Sequence, residues 1–413
     1  MLAILALRNL YRNRRRTLLA LLVISVGTAG LLLTAGFIRY SFNGLRDAII
    51  NGGLGHFEVR PGKANADDNA SQARVGTTPV FAEWTEARAA LESSPYVLGA
   101  GAAIQFAGVA TNGDRTASFL GVAVEPERER RMGVTVRIRS GRNLQDTDAT
   151  GAYDEVLLGA GLARELAVAP SDTITVLIAG ADGSLNAVDL TVAGSFSSGF
   201  QDLDDRILKV HVATAQRLLG TNDVTSLVVN LRDTQLQAEA EIDLRQRLAA
   251  LGQPLSLVSW NARAPFYEQV RALYGGIFVF LGAIVATLVA LATSNTLMMS
   301  VLERIREFGT LLAIGTTRAQ LAALLMWEGL WLGLLGSTGG GVLGFSLAAV
   351  INAARIQMPP PPAAVDPIDL ALAVVPADLI WALGFMLFVL FLAVVPPVLR
   401  LFRLKIVEAL GHV

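Results

Sequence analysis

The stretch Ala272–Leu302 reads ALYGGIFVFLGAIVATLVALATSNTLMMSVL and contains no charged residue. A helix needs about 20 apolar residues to cross the hydrocarbon core of a bilayer, so this run is longer than one span requires. Three further runs satisfy the same criterion: Thr17–Ile38, about Leu321–Ile351 with the single charge of Glu328, and Leu379–Leu399. The sequence therefore predicts four membrane-spanning helices.

The composition indicates that only part of the chain lies in lipid. Of the 413 residues, 53% are hydrophobic and 17% are charged, whereas soluble domains carry roughly 25% charged residues. The mean hydropathy of +0.49 fits a protein with both lipid-embedded and water-exposed parts. A net charge of -1 gives no indication of a nucleic-acid partner. The absence of cysteine excludes disulfides and thiolate metal sites.

Basic residues predict the orientation of the spans. Arg8, Arg12, Arg14, Arg15 and Arg16 precede the first span, Arg304, Arg306 and Arg318 separate the second from the third, and Arg400, Arg403 and Lys405 follow the fourth. Four spans place all three clusters on one side of the membrane, and the positive-inside rule makes that side cytoplasmic. Both termini are then expected in the cytoplasm, with Tyr40–Arg271 and Asn352–Asp378 outside it.

These patterns predict the organisation of the whole chain. The segments are a cytoplasmic amphipathic segment (1–16), span one (17–40), an outer domain (41–268), span two (269–302), a cytoplasmic helix and loop (303–318), span three (319–352), an outer proline-rich loop (353–377), span four (378–399) and a cytoplasmic tail (400–413). The fold class is thus an α-helical membrane protein with a large α+β extracytoplasmic domain.

Local patterns support the α+β assignment of the outer domain. Alternating, β-branched stretches predict strands, and helical spacing of apolar residues predicts helices. The predicted strands are His56–Arg60, Asp172–Val176 and Leu190–Ala193, and the predicted helices are Thr85–Glu92 and Gln235–Leu251. Gly62–Thr78 is predicted to be a mobile loop, and Pro359–Pro362 a stiff extended turn between spans three and four.

Several sequence features argue against nucleotide binding, metal binding and catalysis by this chain. Gly339–Gly344 matches G-x-G-x-x-G, but it lies inside an apolar span and therefore does not indicate a dinucleotide site. Of the three lysines only Lys63 follows a glycine, and Ala64 follows it, so no P-loop is present. The three histidines are scattered, which argues against a metal cluster. A catalytic triad is not recognisable either, so we expect a non-catalytic protein.

A series of glycines in span three predicts a helix-packing face. Their spacings of three and four residues put them on one side of a helix, where backbones can approach closely. The glycines are Gly329, Gly333, Gly336, Gly340 and Gly344. Glu328 stands beside this series, and its position near the cytoplasmic end of the span favours pairing with an arginine such as Arg318 over a role in substrate transfer.

The cytoplasmic stretch Leu302–Arg318 begins with charges, continues with apolar residues and includes Gly315, which suits the position just after a helix. On a helix Glu303 and Glu307 share one face. Two interpretations remain open from the residues alone: an amphipathic helix that presents charges to a soluble partner, or a connecting loop whose arginines meet lipid phosphates.

Longer motifs resemble a known family. Thr296–Gly315 (TLMMSVLERIREFGTLLAIG) closely resembles the signature of FtsX/MacB-type ABC permeases, the type VII transporters. Further similarities lie in Ala6–Leu10 with the following arginines, in Glu328–Leu330, in Leu158–Leu166 and in Asp172–Ile174, where Ser171 replaces the family's usual glycine. Gly55–Val59 and the proline run Pro359–Pro362 look most like the lipoprotein-releasing, or Lol-type, permeases.

The resemblance implies a function and a set of partners. It implies a permease subunit in the bacterial inner membrane, paired with an identical or different second permease chain and with two copies of a cytoplasmic ABC ATPase. The ATPase would bind ATP and Mg, so this chain itself would carry no cofactor. The implied activity is mechanotransmission, in which ATP hydrolysis moves the periplasmic domains to release a lipoprotein or lipid-like substrate. A periplasmic carrier or adaptor is a further expected partner.

The resemblance also implies two sets of site residues. The ATPase-coupling set is Glu303, Arg304, Arg306, Glu307, Phe308, Leu311 and Gly315. The set at the outer edge of spans one and two, where a lipid-anchored substrate would enter sideways, is Phe37, Tyr40, Phe42, Tyr267, Val270, Tyr274, Ile277 and Phe278. The alternative reading of these aromatics is interfacial anchoring.

Two other functions remain open from the sequence. One is a MacB-like exporter of peptides or small amphiphiles that works with a periplasmic adaptor. The other is a regulator that moves its outer domain to activate a periplasmic hydrolase.

Overall fold

The computed structural model describes residues 2–12, 14–62, 81–134, 136–145, 154–180, 184–199, 201–358 and 368–403. They form two compact units: a helical unit (Met1–Asn43, Arg271–Met358 and Asp369–Val413) and an α+β unit (Gly44–Val270 and Pro359–Ile368). The predicted mobile loop, apart from Gly62, and the predicted proline turn lie outside the described residues, as does the end of the tail from Leu404.

The helices of the described residues follow in chain order. They are α1 (Leu2–Arg12), α2 (Arg14–Ile49), α3 (Trp84–Glu92), α4 (Pro126–Arg131), α5 (Ala160–Leu166), α6 (Gln201–Asp204), α7 (Val212–Leu219), α8 (Gln237–Ala250), α9 (Trp260–Arg263), α10 (Pro265–Glu303), α11 (Ile305–Ala313), α12 (Arg318–Ala354) and α13 (Pro376–Phe402). A π-helical turn (Ile50–Leu54) follows α2, and a 3₁₀ turn (Thr234–Leu236) precedes α8.

The strands of the described residues are β1 (Phe57–Pro61), β2 (Val97–Thr111), β3 (Thr116–Val124), β4 (Arg137–Gly141), β5 (Glu155–Gly159), β6 (Thr173–Ala179), β7 (Leu185–Ser197), β8 (Ile207–His211), β9 (Ser226–Leu231), β10 (Leu255–Ser259), β11 (Gln357–Met358) and β12 (Ile368–Asp369).

Among the described residues, four helices are long and apolar enough to cross a membrane, which confirms the predicted number of spans: α2, α10, α12 and α13. The sequence determines where α12 begins. Thr317 Oγ1 accepts a hydrogen bond from the backbone N–H of Gln320, and the Gln320 side chain accepts one from the N–H of Thr317. This capping box satisfies two N–H groups that an α-helix leaves without partners at its start.

The five glycines of the predicted series lie on the buried face of α12, where they contact two other helices. A Cβ built at Gly329 would lie 2.4 Å from Val394 Cγ2 of α13, and one at Gly340 would lie 2.5 Å from the carbonyl oxygen of Ser25 in α2. The first part of the stripe therefore packs against α13 and the later part against α2. Glycine is needed at such positions because any side chain would push the neighbouring helix away.

The α+β unit is built on one extended sheet. The strand order is β10-β1-β9-β2-β3-β8-β5-β7-β4, and β6 pairs with both β2 and β7. The pairs β3/β8 and β5/β7 are parallel, and the other described pairs are antiparallel. The long strand β2 joins the two halves of the sheet, because its first part pairs with β9 and its second part with β3.

The predicted elements of this unit are confirmed, with shifted ends. The strands predicted at His56–Arg60, Asp172–Val176 and Leu190–Ala193 correspond to β1, β6 and β7, and β7 is much longer than its predicted core. Ser171 has a φ of 79°, in the left-handed region that favours glycine. The structure thus explains why a glycine suits this turn and shows that serine adopts the same backbone conformation here.

One buried histidine of this unit makes its stability depend on pH. His56 Nδ1 accepts a hydrogen bond from the backbone N–H of Leu231, and its Nε2 lies 2.9 Å from Thr234 Oγ1. Burial, and secondly the positive charge of Arg46, lowers the pKa of His56 to about 4. The unfolded chain, with a pKa near 6.5, then binds more protons than the folded unit between these two values.

We therefore expect the α+β unit to lose stability as pH falls from about 6.5 towards 4, by about 3 kcal/mol in total from this group. Thermal unfolding of the permease in detergent, followed at several pH values, measures this loss. The variant His56→Gln cannot be protonated and should show a smaller fall between pH 7 and pH 4.5. An identical fall in both proteins would show that His56 is not the titrating group.

Candidate functional site

The short helix α11 lies between the second and third long helices and ends as the sequence predicts. Gly315 has a φ of 102°, its N–H donates to the carbonyl of Leu312, and the N–H of Thr316 donates to the carbonyl of Leu311. This pair of bonds is a Schellman motif, which closes a helix at a glycine. Phe308 is fully buried in the helical unit, so it anchors α11 and does not face solvent.

The carboxylates of Glu303 and Glu307 are already paired within the chain. Arg16 forms an ion pair with Glu303, and Arg12 Nη2 lies 2.8 Å from Glu307 Oε1. Arg304 Nε lies 2.9 Å from the other oxygen of Glu307. Hydrogen bonds from Arg304, and then from Arg12, hold the pKa of Glu307 below its ordinary value. Both carboxylates are nevertheless partly exposed, with 41% of the Glu303 side chain and 46% of the Glu307 side chain accessible, so their presentation to a partner stays a prediction.

Glu328 forms the buried centre of this cluster. Its side chain is 2% exposed, and Oε1 accepts hydrogen bonds from Arg304 Nη1 at 2.9 Å and Asn9 Nδ2 at 2.8 Å. The prediction that Glu328 pairs with an arginine is confirmed, but its partner is Arg304 and not Arg318. The reason is that α10 ends at Glu303 and a new helix begins at Ile305, which places the intervening Arg304 against α12.

Most other residues at the outer face of α11 and in the turn after it are exposed. Residues Arg306, Thr310, Ala313, Ile314 and Gly315 are exposed, whereas Leu311 is half-buried. Ile314, which directly follows α11, is 73% exposed. Of the predicted coupling set, Glu303, Arg306, Glu307 and Gly315 are exposed, Leu311 is half-buried, and Arg304 and Phe308 are buried. Ile314 is an exposed neighbour that the sequence analysis did not single out.

Three of the predicted substrate-contacting aromatics lie together. The rings of Phe42 and Tyr274 pack edge to face with centroids 6.1 Å apart, and Tyr274 lies 6.3 Å from Phe278. Ile277 on the same helix is exposed, and Phe37 and Tyr40 of α2 are half-buried. We name Phe42, Tyr274 and Phe278 the aromatic cluster.

Two members of that predicted set belong to the α+β unit. Val270 is half-buried there, and Tyr267 is buried with its ring 4.8 Å from that of Trp260. A ring that is covered by its own domain cannot contact a substrate without moving. Tyr267 is therefore a packing residue in this structure, and the expectation that it contacts substrate is corrected on that ground.

Sequence reasoning missed a strap at the far end of the helical unit. The extended segment before α13 is held by Asn352 of α12, whose amide both donates to the carbonyl of Leu372 and accepts from its N–H. The N–H of Ala373 donates to the carbonyl of Gly36 in α2. Arg39 of α2 also pairs with Asp378 of α13. The strap thus connects α2, α12 and α13, and no short sequence pattern predicts it.

Within the residues that the structure describes, no group of three or more His, Asp or Glu side chains could hold a metal ion. The two regions differ in character: a charged, partly exposed surface lies around α11, and an apolar aromatic surface lies at the opposite ends of α2 and α10.

Two parts of the chain match families of known proteins. Residues 279–406 match the family described as "FtsX-like permease C-terminal", and residues 17–247 match the "MacB-like periplasmic core domain". The first match contains α11 and most of α10, and the second contains most of the α+β unit.

Individual relatives have low sequence identity to this chain. The pyoverdine export ATP-binding/permease protein PvdT of Pseudomonas syringae pv. tomato is 22% identical over 54% of this chain and 34% of its own length. The lipoprotein-releasing system transmembrane protein LolC of Xylella fastidiosa is 23% identical over 65% of this chain and 66% of its own. The chain thus spans about a third of the PvdT relative. The solved periplasmic region of MacB from Actinobacillus actinomycetemcomitans is 14% identical, with a TM-score of 0.38 over 53% of this chain and 95% of that one.

The two family matches cover most of the chain and agree with the four apolar helices and the α+β unit. They indicate a membrane protein with a periplasmic domain. The chain belongs to the FtsX/MacB-type (type VII) family of ABC transporter permeases.

Proposed function

We propose that this permease uses ATP hydrolysis by a cytoplasmic partner to extract a lipoprotein or lipid-like substrate from the membrane on its periplasmic side. The observation that carries the proposal is the aromatic cluster of Phe42, Tyr274 and Phe278, which lies where α2 and α10 leave the apolar part of the helical unit. The similarity to LolC over 65% of the chain supports the same substrate class.

The exposed surface of α11 is the proposed attachment point of the motor. Buried Phe308 and the ion pairs of Arg304 hold the inner face of α11 against the helical unit. A force on the exposed face of α11 is therefore transmitted to the helices that α11 contacts. Arg306 and Ile314 offer a charge and an apolar contact to a protein partner. Interfaces commonly combine such a buried apolar contact with a charged rim.

The helix α10 is the proposed transmission element. It runs without a break from Pro265 to Glu303, about 58 Å at the rise of an α-helix. After Pro265 it contains no proline, which is the commonest cause of a kink. Only 6% of its apolar window is buried within the chain, against 28–33% for the other three long helices. Its side chains are thus available to lipid, substrate or a second permease chain.

The aromatic cluster is the proposed contact for acyl chains. Tyr274 and Ile277 are exposed, and an apolar surface of this kind gains free energy when an acyl chain covers it, at about 25 cal/mol per Å². The rings do not hydrogen-bond to acyl chains, so the surface selects lipidated molecules by apolar area and not by a specific sequence.

Photo-crosslinking at Tyr274 tests the proposal. A photoreactive residue at this position, in permease reconstituted with its ATPase, is expected to trap a triacylated lipoprotein and not the same protein without acyl chains. Trp381 provides a matched control, because it is an exposed aromatic near the first residue of α13 and is not part of the aromatic cluster. Equal trapping at both positions, or none of the acylated protein at Tyr274, would contradict lateral access at this cluster.

A second function is favoured by a specific observation. Several relatives are named as pyoverdine export ATP-binding/permease proteins, which supports export of a peptide or small molecule as the second proposal. The same crosslinking experiment separates the two functions, since an exporter of small molecules would not retain an acylated protein at Tyr274.

A further inference from the structure

Glu328 is a carboxylate inside the apolar helix α12. It lies ten residues after the first residue of α12, about 15 Å along the helix axis. Charged groups are costly in such a segment unless they are paired and hydrogen-bonded. Glu328 is 2% exposed and meets both conditions through Arg304 and Asn9.

Arg304 occupies the junction between two helices. Its φ of -107° and ψ of 19° depart from helical values, so the chain changes direction between α10 and α11 at this residue. Its guanidinium holds Glu328 with Nη1 and Glu307 with Nε, and lies 5.0 Å from the centre of the Phe308 ring. Arg304 thus links α11 to α12 directly, in addition to the packing of buried Phe308.

The amphipathic helix α1 is attached to the same place. Asn9 donates to Glu328, and one turn further along α12 the indole N–H of Trp331 donates to the carbonyl of Ala3. Arg12, at the end of α1, pairs with Glu307 of α11. Contacts at three separate points therefore join α1 to both α11 and α12.

We propose that Glu328 is a positioning residue for energy coupling: from inside the third span it fixes the direction of α11 through Arg304 and binds α1 through Asn9. Helices α1, α11 and the start of α12 then move as one body when a partner presses on α11. This inference rests on the proposed attachment of an ATPase to α11, but not on the identity of the substrate.

The alternative is that the Glu328–Arg304 pair only stabilises the fold. The two roles differ in what a neutral, isosteric change does. Glu328→Gln keeps the volume and an oxygen that can accept from Asn9, but it removes the charge that holds Arg304. A purely structural role predicts less assembled permease with normal function per molecule. A positioning role predicts assembled permease with faulty coupling.

The experiment measures KM and kcat for ATP hydrolysis by the partner ATPase on proteoliposomes, together with substrate released per ATP. For Glu328→Gln we expect a KM for ATP within about twofold of wild type and at least a tenfold fall in the permease-dependent stimulation of kcat. Adding Arg304→Gln to this variant should cost little more, because interacting residues are not additive. That double variant also lacks an unpaired buried charge, so it keeps the test valid if the single variant does not assemble.

Ser337→Ala is the matched control, since Ser337 is a fully buried polar residue of the same helix outside the cluster. Unchanged stimulation in Glu328→Gln, or a loss that matches the fall in assembled permease, overturns the inference. If Glu328→Gln loses stimulation while wild type releases no lipoprotein, the inference stands and the proposed substrate is wrong. If wild type releases lipoprotein and Glu328→Gln does so equally well, the proposed function stands and the inference is wrong.

Discussion

A permease with Glu303→Ala and Glu307→Ala together is expected to fold normally but to lose ATP-driven release by tenfold or more. Both carboxylates are partly exposed, and surface ion pairs contribute about 0–1 kcal/mol each to stability. The Glu307 pair connects α11 to Arg12 of α1, and the Glu303 pair connects the end of α10 to Arg16 of α2, so their loss frees the junction of α10 and α11 from the first helices of the chain. A coupling free energy of about 1–3 kcal/mol corresponds to roughly 5–150-fold in the coupled process.

The measurement is the amount of substrate released per ATP hydrolysed, with thermal unfolding as the check on stability. The control is Glu241→Ala with Asp154→Ala, because these carboxylates form exposed ion pairs with Arg245 and Arg217 in the α+β unit. The control should retain release. Normal release by the Glu303 and Glu307 variant would mean that these pairs do not contribute to coupling.

Gly340→Ala is expected to be the most damaging single-methyl change in the long helices, at about 3 kcal/mol of lost stability. The new Cβ would lie 2.5 Å from the carbonyl oxygen of Ser25 and 2.6 Å from Thr28 Cβ. A backbone oxygen cannot rotate away as a flexible side chain can, so α2 itself must shift. The loss is measured by unfolding in detergent and by the yield of folded permease.

Gly30→Ala on α2 is the matched control, because an added Cβ there meets no atom within 4 Å. It replaces glycine with a better helix former and should be neutral or stabilising by up to about 1 kcal/mol. The two substitutions therefore differ in sign although they add the same atom. Equal stability of the two variants would contradict the close approach of α2 and α12.

The number of spans could be predicted from sequence because apolar length alone is sufficient to detect them, whereas the ends of the helices lie beyond the apolar runs. Thr17–Ile38 is an apolar run that any hydropathy window detects, and α2 extends it on both sides. The end of α11 could also be predicted, since Gly315 suits a local backbone conformation. These features depend on neighbours in the chain, where residue type is sufficient information.

The partners of the charged residues could not be predicted in the same way. Arg318 was the example named because it lies at the start of the same helix, but ten residues of helix separate it from Glu328 by about 15 Å. Arg304 reaches Glu328 because the chain turns between α10 and α11. The bond of Asn352 to Leu372 joins residues across a long connection and leaves no periodic signal. Tyr267 looked available because aromatic character is visible in a sequence and burial by a domain is not.

The topology of the α+β unit also lay beyond the sequence. The parallel pairs β3/β8 and β5/β7 bring together strands that are far apart in the chain, and several alternatives satisfy the same strand patterns. The alternation of apolar residues in β6 shows which side chains face a core, but it does not identify β2 and β7 as its neighbours.

The proposed function is tested most directly by release from proteoliposomes that contain the permease, its ATPase and a triacylated lipoprotein. We expect ATP-dependent release of the acylated protein, no response for the same protein without acyl chains, and loss of release in the Glu303 and Glu307 double variant. ATP hydrolysis that is stimulated by the permease without any release of the acylated protein would contradict the proposed function.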